Sequence, residues 1–242
     1  MNFEEMKQKY NYYENKHGIL FNCDCMHLME IIPDEYFELA IVDIPYNINK
    51  DALHQNRFTK GSGKLKDRAI QRFNGKFDNF PVNDNYFQEL YRVSENQIIW
   101  GGNYYKLGRT RGFIIWDKEQ PFENFSACEF AWTSFDSPSK IYKQATTRTN
   151  EIKIHICQKP VALYRWLLQN YAKKDDKIFD SHVGSASSFI ACMELGFNFT
   201  GCELDVDYFN ESVERIKLEE ARIENKFYLS DNSLFDFEKD NT

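Results

Sequence analysis

Three short segments carry residues that can do chemistry. Asp43-Ile44-Pro45-Tyr46 follows directly on the apolar run Leu39-Ala40-Ile41-Val42. A carboxylate and an aromatic at the carboxyl end of a strand lie where open α/β sheets place ligands. Pro45 has no N–H, so it stiffens the turn and leaves the Ile44 carbonyl without a competing donor next in line. Two acceptors, the Asp43 carboxylate and the Ile44 carbonyl, then stand beside a flat ring. The complement of that cradle is an exocyclic amino group, two N–H donors beside a π-face. The second segment, Phe179-Asp180-Ser181-His182-Val183-Gly184-Ser185-Ala186-Ser187, joins an apolar run to an apolar helix. Small residues there let backbone N–H groups and a helix N-terminus approach a ligand closely. Phe199-Thr200-Gly201-Cys202-Glu203 follows and ends in an acid, at the offset of a ribose-hydroxyl partner in a nucleoside-binding βαβ unit. The third segment is His155-Ile156-Cys157-Gln158-Lys159-Pro160; alone it is weak, with Lys159 reading as a solvated cation. Plainer readings stay open: an Asp-Pro turn for the first segment and a capped helix start for the second. Neither a dinucleotide GxGxxG nor a P-loop is present, since Leu65 follows Gly63-Lys64 and Phe58 stands where the first glycine would.

Such residues need a sheet to hold them. Short apolar runs alternate with longer amphipathic ones, which predicts α/β layering around a largely parallel sheet. The strand candidates are Gly18–Phe21, Leu39–Val42, Gln97–Trp100, Phe113–Trp116, Phe130–Thr133, Lys177–Phe179 and Phe199–Cys202. Helices are expected over Asn85–Val93, from Pro160 through Tyr171, over Ser187–Leu195, and from about Phe209 to about Arg222. Residues 47–80 read as no regular layer and carry Lys50, Arg57, Lys60, Lys64, Lys66, Arg68, Arg72 and Lys76 against three aspartates. A structureless stretch of that length inside a domain is usually functional or disordered. Residues 118–152 are polar and turn-rich apart from one strand-like run, and neither stretch looks like a domain boundary. A single domain over 1–242 is expected.

Charge and composition narrow the class. Lys+Arg 30 against Asp+Glu 37 gives a net charge of −7. From Glu203 to Thr242, 12 acids face 5 bases, so the preceding residues hold 25 of each and sum to zero. The acidic total therefore does not exclude a polyanionic partner for a local basic face. Hydrophobic residues at 42% and aromatics at 16% supply an ample core, which argues against disorder. No apolar run approaches a membrane span, and Met1-Asn2-Phe3-Glu4-Glu5 lacks a signal-peptide layout. Six scattered cysteines without CxxC spacing read as free thiols in a reducing cytosol, with no metal site.

Taken in order, the segments resemble the β-class amino-methyltransferases of DNA, which use S-adenosylmethionine. That family carries an Asp/Asn/Ser-Pro-Pro-aromatic motif, a target-recognition segment, then TQKP and DxFxGSGTT. Asp43-Ile44-Pro45-Tyr46 matches the first at three of four places, Gln158-Lys159-Pro160 the third, and Asp180 with Gly184-Ser185 the last. Gly201-Cys202-Glu203 matches the ribose acid, and Asn22-Cys23-Asp24-Cys25 the segment near the adenine. Asn96–Asn103 and Phe113–Lys118 also look like the family's middle strands. The departures are Ile44 for the first proline, Ala186 for the second glycine of GSG, and Ser181-His182 for Pro-Phe.

The resemblance implies a class I methyltransferase fold, a Rossmann-like mostly parallel sheet with helices on both faces in circularly permuted order. It implies methyl transfer from S-adenosylmethionine to N6 of a flipped adenine, through Asp43, Ile44, Pro45 and Tyr46; the leading Asp favours adenine over N4 of cytosine. The cofactor residues carried over are Asp24, Cys25, Asp43, Lys159, Phe179, Asp180, Gly184, Ser185, Ala186, Ser187, Glu203 and Leu204. The eight cations of 47–80 would contact DNA phosphates, Lys106, Arg109 and Arg111 would extend that face, and 118–152, with Lys140, Lys143 and Arg148, would read the site. No metal or membrane enters this reading, and it leaves room for a homodimer and a restriction endonuclease partner. The alternatives are an N4-cytosine enzyme, a weak or inactive DNA-binding homologue, and an RNA or protein-glutamine methyltransferase.

Overall fold

The computed structural model describes residues 2–46, 81–120, 126–145, 151, 153–155 and 157–236, with side chains as far as residue 225. Helix α1 is Phe3–Lys9, strand β1 Tyr12–Asn15, β2 Gly18–Asn22, α2 Cys25–Ile31 and β3 Phe37–Asp43. Then come α3 Asp84–Val93, β4 Ser94–Trp100, a 3₁₀ turn Gly102–Tyr104, β5 Phe113–Asp117, β6 Cys128–Thr133 and β7 Lys140–Lys143. The last elements are α4 Val161–Tyr171, β8 Lys177–Asp180, α5 Ser187–Leu195, β9 Asn198–Glu203 and α6 Val206–Asp236.

The described strands form one sheet in the order β1-β2-β9-β8-β3-β4-β6-β5-β7. Its centre, β2-β9-β8-β3-β4, is parallel throughout, as is β5-β7; β1-β2, β4-β6 and β6-β5 are antiparallel. Successive residues of β3 explain why it lies at the centre. Leu39 and Ile41 point into one apolar cluster, with Leu163 and Leu167 of α4, Phe189 of α5 and Ile216 of α6. Ala40 and Val42 point into the other, with Met6 of α1, Leu28 of α2 and Leu90 of α3. A strand covered on both faces needs apolar residues at every position, and Leu39–Val42 supplies them. Helix ends are fixed locally: Asn2 and Glu5 make a capping box, and Asp24 and Asn83 accept from the N–H groups of Met26 and Tyr86.

All seven anticipated strands are present, most a residue or two longer. Two more lie at the sheet's outer edges, β1 and β7, and two seven-residue helices, α1 and α2, were not anticipated. The helix expected to stop near Arg222 runs on to Asp236. Residues 118–152 hold a second strand, β7, paired with β5. The eight cations of 47–80 and Arg148 lie outside the described residues. Among the described residues no helix is long and apolar enough to cross a membrane.

Candidate active site

The parallel register assembles the site. Asp43 ends β3, Asp180 ends β8 and Glu203 ends β9; β3 lies beside β8, and β8 beside β9. One strand further, Asn22 of β2 faces Glu203, and Asp24 follows it. Residues far apart in the chain thus share one edge of the sheet, the carboxyl end, where open α/β sheets bind ligands. A cleft of about 540 Å³ opens there, within the ordinary range of small-molecule sites. Asp24, Cys25, Asp43, Lys159, Gly184, Ser185, Glu203 and Leu204 line it. Phe179, Asp180, Ala186 and Ser187 do not; they are buried behind it and shape the loop.

The loop between β8 and α5 is tied down from three sides. Asp180 accepts from the His182 N–H at 3.0 Å and the Ser188 hydroxyl at 2.6 Å, and burial pushes its carboxyl up to about 7. Glu203 accepts from the N–H of Gly184 at 2.8 Å and of Asp205 at 2.9 Å. Burial raises its carboxyl against those two bonds. Arg215 of α6 donates to the Ser185 carbonyl at 2.5 Å, the Ser187 hydroxyl at 2.9 Å and Glu151 at 2.7 Å. Glu151 in turn accepts from the N–H of Val161, the residue after Lys159-Pro160, at 2.9 Å. Arg215 therefore fastens the loop to the Gln158-Lys159-Pro160 segment.

Two departures from the family pattern acquire a physical account. Ala186 stands where GSG has its second glycine and adopts φ +61, ψ +22, a left-handed conformation that costs a non-glycine residue about 1–2 kcal/mol. Its methyl is fully buried against α5 and its neighbours. In place of Pro-Phe, the Ser181 hydroxyl lies 2.6 Å from the Tyr86 hydroxyl and 2.8 Å from His182 Nδ1. The His182 ring meets Tyr86 edge-on at 5.5 Å. Burial holds this imidazole neutral, its pKa down at about 4.

The far end of the cleft is a compact cluster of charge. Lys159 is buried, and its ammonium lies 2.5 Å from Asp43 Oδ2, 3.0 Å from Glu129 Oε2 and 3.1 Å from the Tyr46 hydroxyl oxygen. Its three N–H donors thus have three acceptors. The Tyr46 hydroxyl lies within donating distance of Asp43 Oδ1, at 2.9 Å, and Glu129 Oε2, at 3.1 Å. Lys118 closes the group, 2.5 Å from Glu129 Oε1. Burial raises the Asp43 carboxyl, only partly countered by the one ammonium it shares. Burial also opposes ionisation of Glu129, but Lys159 and Lys118 together overcome it and hold that carboxyl down at about 2. For Lys159, burial disfavours the charge and the two carboxylates more than restore it, so its pKa is raised.

Ile44 and Pro45 are buried, and the Tyr105 hydroxyl donates to the Pro45 carbonyl. The Tyr46 ring stacks on Tyr104 at 5.2 Å, and Gly101 leaves the space it needs. Read alone, Lys159 was a solvated cation; the structure corrects this, since three acceptors converge on it from β3, β6 and the turn after β3. Glu129 and Lys118 fall in the 118–152 segment expected to read DNA; the structure instead pairs Glu129 with Lys159 and Lys118 with Glu129. The signal that could have exposed Glu129 is an acid inside the apolar run Phe130-Ala131-Trp132 as extended by Cys128, but nothing local says which partner it meets.

This sheet order and acid-ended cleft define an α/β fold of the class I methyltransferase type. A family model described as DNA methylase, for the N6/N4 methyltransferases, matches residues 99–214. Type II methyltransferase M.HhaII of Haemophilus parahaemolyticus is 22% identical over 223 residues, spanning 81% of this chain and 94% of its own. The PvuII DNA methyltransferase, cytosine-N4-specific, superposes with a TM-score of 0.57 at 13% identity, over 88% of this chain and 94% of that one. The M1.HpyAVI–SAM complex gives 0.51 at 15%, over 81% and 98%. These likenesses support an amino-methyltransferase family, N6-adenine/N4-cytosine, for this chain.

Proposed function

We propose that this chain is a single-domain DNA methyltransferase that moves a methyl group from S-adenosylmethionine to N6 of a flipped adenine. The observation that carries the reading is the continuity of one cleft, from Asp24, Gly184 and Glu203 at one end to Asp43 and Pro45 at the other. A cofactor with a ribose and an amino-acid end fits its donors. In this reading Glu203 takes the ribose hydroxyls, Asp24 and Cys25 flank the adenine, Leu204 covers it, and the Gly184–Ser187 turn faces the methionine end. S-adenosylmethionine supplies an activated sulfonium methyl, so the protein's task is positioning and charge stabilisation.

Each carboxylate oxygen accepts two hydrogen bonds. Among the described residues Asp43 serves only Tyr46, through Oδ1, and Lys159, through Oδ2, which leaves each oxygen a lone pair to accept an amino N–H. With the Ile44 carbonyl as second acceptor, the amino nitrogen turns its own lone pair outward. As the N–C bond forms, the sulfonium S–CH3 bond would break and S-adenosylhomocysteine would leave as a neutral thioether. The amino nitrogen, then cationic, would give up a proton to Asp43, whose carboxyl burial raises. A base within a duplex cannot reach this pocket unless extruded. The cations of 47–80 and the 118–152 segment are the proposed DNA contacts.

The test is incubation of the protein with duplex DNA and isotopically labelled S-adenosylmethionine, with product nucleosides identified by mass spectrometry. N6-methyladenine supports the reading. N4-methylcytosine replaces the base and keeps the chemistry, and no labelled nucleoside overturns it.

A further inference from the structure

The cluster at the end of the cleft holds one acid more than the proposed reaction uses. Asp43 faces the target; Glu129, on the antiparallel strand β6, does not line the cleft, yet shares both Lys159 and the Tyr46 hydroxyl with Asp43. We propose that Glu129 is a positioning residue that balances the charge of Lys159, leaving Asp43 as a carboxylate for the target amino group. This inference rests on the methyl-transfer reading above.

The argument is one of charge and valence. Asp43, Glu129, Lys159 and Lys118 sum to zero. Remove the charge of Glu129 and the group becomes cationic, beside a nitrogen that itself turns positive during transfer. Lys159 is buried and cannot move to water to relieve this, whereas Lys118 stands 17% exposed at the rim. An uncompensated buried ammonium then draws wholly on Asp43, the only other carboxylate within 4 Å of it among the described residues. Asp43 becomes a weaker acceptor toward the substrate although its own position is unchanged. Glu129 also orients Tyr46, whose hydroxyl chooses between the two acids. The role belongs to the charge of Glu129, working through Lys159, with Lys118 as its anchor.

Three variants test this: Glu129→Gln keeps the shape and drops the charge, Glu129→Asp keeps the charge and changes the reach, and Glu129→Gln with Lys159→Met drops one charge of each sign. kcat and KM for S-adenosylmethionine are measured on duplex DNA, and S-adenosylhomocysteine binding by calorimetry. Glu129→Gln should lower kcat on the order of a hundredfold with KM within about threefold of the parent. Glu129→Asp should recover about tenfold of that loss, and the double variant should exceed Glu129→Gln. Should Glu129→Gln fail to bind S-adenosylhomocysteine, Glu129→Asp decides: kcat below about a hundredth of the parent's overturns the inference. So does a Glu129→Gln variant that matches or outperforms Glu129→Asp. A parent protein that yields no methylated base refutes the methyl-transfer reading instead, so the two failures are distinct.

Discussion

Gly101→Ala should disable the site through Tyr46. Gly101 adopts φ +75 at the end of β4, and a Cβ there would lie 2.2 Å from both Cδ1 and Cε1 of the Tyr46 ring. Ordinary contact begins near 3.4 Å, so the ring must retreat by about 1.2 Å. That is enough to break the 2.9 Å and 3.1 Å contacts its hydroxyl makes with Asp43 and Glu129. Left-handed alanine costs about 1–2 kcal/mol, and the displaced ring roughly another 1 in lost hydrogen bonding. A loss of about 2–3 kcal/mol lowers the Tm by roughly 4–12 °C for a domain of this size. Misplacing a group that positions the reacting carboxylate by about 1 Å costs about a hundredfold in rate. Thermal melts and methyl-transfer kinetics read both effects. Repeating the substitution in a Tyr46→Ala background isolates the cause: with no ring to strike, it should cost only the backbone strain, about 1–2 kcal/mol. Equal destabilisation in both backgrounds would refute the reasoning.

Other substitutions follow from the same geometry. Arg215→Met leaves Glu151 without its buried partner and releases the Ser185 carbonyl; unfolding free energy should fall by about 3 kcal/mol in denaturant melts, with weaker S-adenosylmethionine binding by calorimetry. Ala186→Gly relieves about 1–2 kcal/mol of strain but loses a buried methyl and adds unfolded-state freedom, each worth about 0.5–1, so stability should stay within about 1 kcal/mol. A pH series on His182→Phe tests the buried imidazole. A histidine at about 4 when folded and near 6.5 when unfolded contributes stability that is complete above pH 6.5 and lost as pH falls toward 4. The variant should lose up to about 3 kcal/mol of acid sensitivity in that window relative to the parent. The difference between the two proteins is the readout, because Asp180, raised to about 7, runs the other way from about pH 4 to 7 in both. Neutralising Lys64, Lys66, Arg68 and Arg72 should flatten the slope of log K for DNA against log salt by about 0.9 for each phosphate no longer neutralised; an unchanged slope removes them from the interface.

The doubly covered strands were legible because burial on two faces writes itself as an unbroken apolar run, as in Leu39–Val42 and Ile98–Trp100. The edge strands were not. Tyr12-Tyr13-Glu14-Asn15 and Lys140-Ile141-Tyr142-Lys143 alternate exposed and half-buried positions, so their composition resembles a loop. Helices α1 and α2 span only seven residues each, too short for periodicity to show. Among site residues, those at strand ends were legible by motif and offset. Glu129 and Lys118 were not, because Glu129 reaches Lys159, and Lys118 reaches Glu129, only through the antiparallel pairing of β5 with β6 and of β6 with β4. For the same reason Lys159 read as solvated: its burial depends on acceptors supplied by residues 43, 46 and 129.

The central claim is that Asp43 acts on the amino group and not on the cofactor. Single-turnover methyl transfer to duplex DNA by the parent and by Asp43→Ala, with S-adenosylhomocysteine affinity measured for both, tests it most directly. The account predicts N6-methyladenine from the parent, transfer reduced by about a thousandfold in Asp43→Ala, and affinities that agree within about threefold. Comparable transfer by the two proteins, or a loss confined to cofactor affinity, would contradict it.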